Sequence, residues 1–90
     1  LLIADSGSTK ADWAWVAKDG ETSYVHTEGY NPVVHPRELF YGEMDKLTNK
    51  LLPGLKPKEV HYYGAGCWDY KRKQVIQDRV QQTWPEAKVL

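Results

Sequence analysis

Leu1-Leu2-Ile3-Ala4-Asp5-Ser6-Gly7-Ser8-Thr9-Lys10-Ala11-Asp12-Trp13 carries an apolar strand into a carboxylate, then through a short Gly/Ser/Thr turn with one lysine into a second strand. The turn offers hydroxyls, a cation and backbone N–H groups, and its glycine lets a ligand come close to the main chain. A concavity of that kind suits an anion, phosphate being the usual one. Asp5 beside it is placed to hold Mg²⁺ through water, because Mg²⁺ keeps much of its hydration and takes only one or two carboxylates. No Gly-x-x-x-x-Gly-Lys-Ser/Thr pattern occurs, so this is not the P-loop way of holding phosphate. Asp, Ser and Gly between two apolar runs are also ordinary hairpin chemistry. The turn by itself leaves both readings open, and the weight shifts only with the rest of the chain.

Upstream of the turn, residues 1–5 form a continuous apolar run, which reads as a strand buried on both faces. Downstream, residues 11–17 make a second strand, with Trp13 and Trp15 on one face and Asp12, Ala14 and Val16 on the other. Lys18-Asp19-Gly20-Glu21 signals a tight hairpin into a third strand over 22–27. Glu28-Gly29-Tyr30-Asn31-Pro32 breaks the alternation and predicts a loop. A helix over 36–52 follows, with Pro36 at its first position and Phe40, Met44, Leu47 and Leu51 as a buried stripe. Pro53-Gly54 stops it. Residues 59–63 predict a fourth strand, then Gly64-Ala65-Gly66-Cys67, then a helix capped by Asp69 and running to about 84. Val75/Ile76, Val80 and Trp84 face inward on that helix; Pro85 ends it and Val89-Leu90 begins a fifth strand. The order is βββαβαβ: a hairpin sheet with parallel additions, hence a mixed α/β sheet.

Ninety residues make one domain at most, or part of one. Twelve acidic and twelve basic side chains balance, so electrostatics gives no argument for nucleic acid or an anionic membrane as partner. Cys67 is the sole cysteine; no internal disulfide forms, which fits a reducing cytoplasm. No apolar run approaches the ~20 residues that span a bilayer, and Leu1–Ala4 lacks a basic flank of the kind a signal peptide carries. The chain opens without Met and closes on Lys88-Val89-Leu90 as an apolar run starts. The expectation is the N-terminal part of a longer polypeptide.

Asp5-Ser6-Gly7-Ser8-Thr9 resembles the phosphate-1 motif, Asp-x-Gly-x-Thr, of the actin-like ATPase and sugar-kinase superfamily. The βββαβαβ order is that of the superfamily's ribonuclease-H-like half domain. Taken with Gly29-Tyr30-Asn31-Pro32 after the third strand and Tyr63-Gly64-Ala65-Gly66-Cys67 after the fourth, nearly the whole chain is similar to the BadF/N-acetylglucosamine kinase family. That resemblance implies residues 1–90 are the first part of the first actin-like domain of an ATP- and Mg²⁺-dependent kinase. Its reaction would turn N-acetylglucosamine into the 6-phosphate, with an amino sugar as the small-molecule partner and a homodimer as a further expectation. Gly7, Ser8 and Thr9 carry over as phosphate contacts and Asp5 as the Mg²⁺-side carboxylate. Lys10 stands where some relatives differ, Asn31 where relatives contact the sugar, and Gly66, with Gly64, at a strand end where α/β clefts form. The general base and the adenine site fall beyond Leu90, which leaves no catalytic residue here. Rival expectations are a BadF-type ATPase activating a partner enzyme, whose relatives carry an iron–sulfur cluster on cysteines, and a non-catalytic nucleotide- or sugar-binding sensor.

Plainer roles stay open beside these. Asn31 is also a turn residue before Pro32, and Gly64 and Gly66 also suit a simple strand-to-helix turn. Trp13 and Trp15 read as core packing or as a stacking platform. Cys67 reads as a small packing residue, and Tyr70-Lys71-Arg72-Lys73 as a solvated helix turn. His26, His35 and His61 lack metal-ligand spacing.

Overall fold

Period-two alternation in the first strands sets the sheet, and the 3.6-residue stripes of two helices cover one side of it. The computed structural model describes residues 1–64, 66 and 69–90. Its elements are β1 (Leu2–Ser6), β2 (Lys10–Val16), β3 (Thr22–Glu28), α1 (Arg37–Lys46) with a π-helical continuation Leu47–Leu51, β4 (Glu59–Gly64), α2 (Tyr70–Thr83) and β5 (Lys88–Val89). The sheet order is β3-β2-β1-β4-β5. The β1–β2 and β2–β3 pairs are antiparallel, and the β1–β4 and β4–β5 pairs are parallel. The expected order and the mixed sheet are therefore both present.

The register puts Leu2 opposite Trp15 and Val60, and Ala4 opposite Trp13 and Tyr62. These side chains share one face, which the helices bury. Phe40 of α1 meets Tyr62 edge-on at 5.8 Å and Tyr30 at 5.2 Å, and Tyr62 in turn meets Trp13 at 5.9 Å. Such tilted and edge-on rings add to the area they bury. Ile76 and Val80 of α2 complete the same core. Trp13 is thus a core residue: its buried indole N–H donates to Thr27 Oγ1 at 2.9 Å.

Three expectations need correction. β1 is covered on one face only, with Leu2, Ala4 and Ser6 buried while Ile3 is half-buried and Asp5 exposed. An apolar run does not distinguish two covered faces from one when its outward residues are few. Pro36 is the N-cap, extended at φ −71° and ψ 153°, and α1 begins at Arg37. The stripe also does not run straight to Leu51. At the C-terminus the Leu52 N–H donates back to the Leu47 carbonyl at 2.8 Å, a widened turn. Leu47 is buried there, and Leu51, inside the widened turn, packs on the core while staying half-buried.

Asp69 caps α2 as expected, its carboxylate accepting from the Arg72 N–H at 2.8 Å and from Arg72 Nη1 at 2.6 Å. Lys71 and Lys73 of the same turn are exposed. Among the described residues no helix is long and apolar enough to cross a membrane. Cys67 lies outside the described residues.

Candidate functional site

The β1–β2 turn is closed by the Gly7 N–H donating to the Lys10 carbonyl at 2.8 Å. Gly7 is therefore a shaping residue whose N–H is already committed. The Ser8 and Thr9 N–H groups and the exposed Thr9 hydroxyl make no hydrogen bond within the described residues. Two free N–H groups and two hydroxyls on one exposed turn form a set of anion donors. The exposed Asp5 carboxylate, at the end of β1, likewise has no hydrogen bond or ion pair there. Its backbone sits opposite Asp12 on one side and Tyr63 on the other. Lys10 leans along the open face, its ammonium 3.7 Å from Asp12 Oδ1, and His26 Nδ1–H donates to the same oxygen at 2.6 Å. These groups are half or more exposed, so the cluster adds little stability.

The Gly29-Tyr30-Asn31 loop docks directly on this turn. Buried Ser6 makes the first link: its Oγ accepts from the Tyr30 N–H at 3.1 Å and donates to the Gly7 carbonyl at 3.2 Å. Gly29 makes the second by having no side chain. A Cβ there would overlap the Gly7 carbonyl and stand 2.6 Å from Lys10 N and 2.8 Å from Thr9 N. Only glycine permits so close a backbone approach.

Asn31 makes the third link. Its Nδ2 donates to Ser8 Oγ at 3.1 Å, and its Oδ1 accepts from the Val33 N–H at 2.9 Å. Its own N–H donates to His35 Nδ1 at 2.9 Å, and its carbonyl accepts from the N–H groups of Val34 and His35. From the far side comes Gly66, at φ +74°, where a Cβ would overlap Asn31 Oδ1 and press on Val33. Asn31 is a turn residue and also the point where three separated segments meet. An amide has two donor hydrogens and two acceptor lone pairs, so among the described residues one hydrogen and one lone pair of Asn31 are unclaimed.

Gly64 closes β4 opposite Ser6, at the base of the same corner. A cleft of about 510 Å³ opens nearby between the end of β4 and α2, lined by His61, Tyr63, Lys73, Gln77 and Leu90. It does not include the β1–β2 turn. Among the described residues no group of three His, Cys, Asp or Glu side chains is placed to hold a metal ion.

Glu43 is a supporting residue that the sequence reading passed over. Its Oε1 accepts from the Glu28 N–H at 2.6 Å and its Oε2 from the Lys46 ammonium at 2.9 Å, with only 10% of the side chain exposed. It pins the end of β3, one residue before Gly29, to α1. The hydrogen bond from Lys46 to Glu43, then their mutual attraction, holds the Lys46 ammonium above the ordinary lysine value. The signal was present: Glu43 lies on the Phe40–Met44–Leu47 face, where a carboxylate needs a partner.

No family model and no curated protein matches the chain. Among solved structures it is similar to the crystal structure of the "putative N-acetylglucosamine kinase" of Porphyromonas gingivalis, at 28% identity and a TM-score of 0.72. The match takes in 99% of this chain and 32% of that one, so the chain spans about a third of that structure's length. The mixed five-stranded sheet with its two helices is thus consistent with part of an actin-like ATPase fold.

Proposed function

We propose that this chain is the opening part of a two-domain kinase of the BadF/N-acetylglucosamine kinase family. The kinase transfers the γ-phosphoryl group of ATP to an amino sugar, N-acetylglucosamine, giving the 6-phosphate. The observation that carries the reading is the Asn31 junction: the turn with free N–H groups, the Asn31 loop and Gly66 converge on one side chain. A hairpin with no further role has no need of a glycine-containing loop docked on it and backed in turn by a second glycine. The similarity to a protein described as such a kinase supports the same reading.

Phosphoryl transfer rests on positioning, charge neutralisation and a base for the attacking hydroxyl. Ser8 and Thr9 would donate to the ATP phosphates, with Gly7 shaping the turn and Lys10 adding positive charge beside it. Asp5 fits the Mg²⁺ ion that such chemistry uses: its carboxylate is exposed, next to the turn and without a partner among the described residues. Mg²⁺ bound there would neutralise phosphate charge. Asn31 would turn its remaining donor and acceptor to the sugar, with Gly66 and Gly64 forming the floor of that side. The base and the adenine site belong to the rest of the polypeptide.

The test is a coupled ADP-release assay of the intact protein with MgATP and a panel of amino sugars. Turnover that depends on N-acetylglucosamine is the expected result, with none from residues 1–90 alone, because an isolated half leaves the site open to water. ATP hydrolysis indifferent to sugar would replace the kinase with an ATPase activator. Ligand binding without turnover would replace it with a sensor.

A further inference from the structure

We infer that the Asn31–Ser8 hydrogen bond couples the two substrates, so that phosphate held at the β1–β2 turn fixes the acceptor loop and sugar held by that loop tightens the turn on phosphate. The inference rests on the kinase reading above and assigns Asn31 a positioning role in addition to any sugar contact.

The polarity of the hydrogen bonds is the first ground. The Val33 N–H donates to Asn31 Oδ1, and Asn31 Nδ2 donates to Ser8 Oγ at 3.1 Å. Ser8 Oγ acts there as acceptor, so its own proton points elsewhere, and no group among the described residues accepts it. The chain therefore ends on an O–H with a proton still to give. An anionic oxygen is the strongest acceptor it can meet. In such a chain each bond polarises the next, so a phosphate oxygen accepting from Ser8 makes Ser8 Oγ a better acceptor for Asn31. The loop is then held harder, and thermodynamic reciprocity requires the converse.

Lack of free space is the second ground. Gly29 packs backbone to backbone on Gly7, Thr9 and Lys10 with no room for a Cβ, so a shift of the turn is passed to the start of the loop, and Gly66 backs the Asn31 amide from the other side. Buried Ser6 ties Tyr30 to Gly7 within the same unit. Turn and loop move together.

The experiment is calorimetric titration of the intact protein with a non-hydrolysable ATP analogue and Mg²⁺, with and without saturating N-acetylglucosamine. It is run on wild type, Ser8→Ala, Ser8→Thr, Asn31→Ala and the Ser8→Ala/Asn31→Ala double variant. Wild type should bind the analogue about tenfold tighter with sugar present, within the usual span of such couplings. Ser8→Ala, an exposed change that leaves the Asn31 turn intact, should bring that factor to about one, as should Asn31→Ala. The double variant should lose no more, and Ser8→Thr should keep the factor. An undiminished factor in Ser8→Ala, or losses that multiply in the double variant, overturns the coupling. Wild type that binds both ligands independently overturns it while leaving the kinase reading in place; wild type that binds neither overturns both.

Discussion

On the helix-covered face of the sheet, Leu2, Ala4, Trp13 and Val60 are buried to within a few per cent. On the opposite face of the same strands, Asp5, Asp12, Tyr24, His26 and Tyr63 are exposed. Strand alternation alone makes this division, since neighbouring residues point to opposite sides. Burial of apolar area stabilises the first face, while the second holds charged pairs that contribute little. The candidate site gathers where β1 and β4 run out: the Ser8 and Thr9 N–H groups are free among the described residues, and Asp5 and Lys10 join them from the edge of the open face. Stability and chemistry are thus carried by different parts of the same five strands.

The largest effect that sharpens this contrast is on the covered face. Phe40→Ala removes a ring packed on both Tyr30 and Tyr62 and should lower the unfolding free energy by about 3–5 kcal/mol. Denaturant unfolding of the chain reads it, and a loss below ~1 kcal/mol would mean that the aromatic cluster is not the centre of the core. At the strand ends the expectation inverts. Thr9→Ala should leave the unfolding midpoint where it is and cut kcat/KM for ATP roughly 10- to 150-fold, the worth of a hydrogen bond to a charged group. A drop in stability with activity intact would return the turn to plain hairpin chemistry.

Thr27→Val leaves the buried Trp13 indole N–H without its acceptor. It should cost about 1–3 kcal/mol, the penalty for an unsatisfied buried donor. Trp13→Phe with Thr27→Val should recover part of that loss, because the donor is then gone as well. The smallest effect is expected on the open face: Tyr24→Ala, at a residue 74% exposed, should stay within about 0.5 kcal/mol in this chain. The same change measured in the intact protein tests whether the open face stays open there, a loss above ~1 kcal/mol showing that another part of the polypeptide covers it.

Much of the scaffold was legible beforehand for reasons that lie within a few residues. The two tryptophans fall on one strand face because they are two apart. Asp69 caps α2 because the Arg72 N–H it accepts from is three residues away. Asn31 was legible only in part: its residue type and the following proline marked a turn and a polar contact, but not the partner. Ser8 lies 23 residues earlier in the chain, brought beside it by the pairing of β2 with β3, and no spacing rule reports that meeting. Glu43 went unread for the same reason, its acceptor role being set by the end of β3 and not by its own helix.

Local pattern set the order of strands and helices, the Asp69 cap, the hairpins and which side of each element is apolar. Periods of two and 3.6 residues and the chemistry of Gly, Pro and Asp act locally. Only the tertiary structure decided that β1 is covered on one face, that the end of α1 widens into a π turn, and that Gly29 and Gly66 are there to let other residues approach. It also decided that Ser6, Ser8, Asn31 and Gly66 form one unit. These depend on register and on close contact between segments far apart in the chain, and a contact of that kind exists only when the sheet has brought its strand ends together.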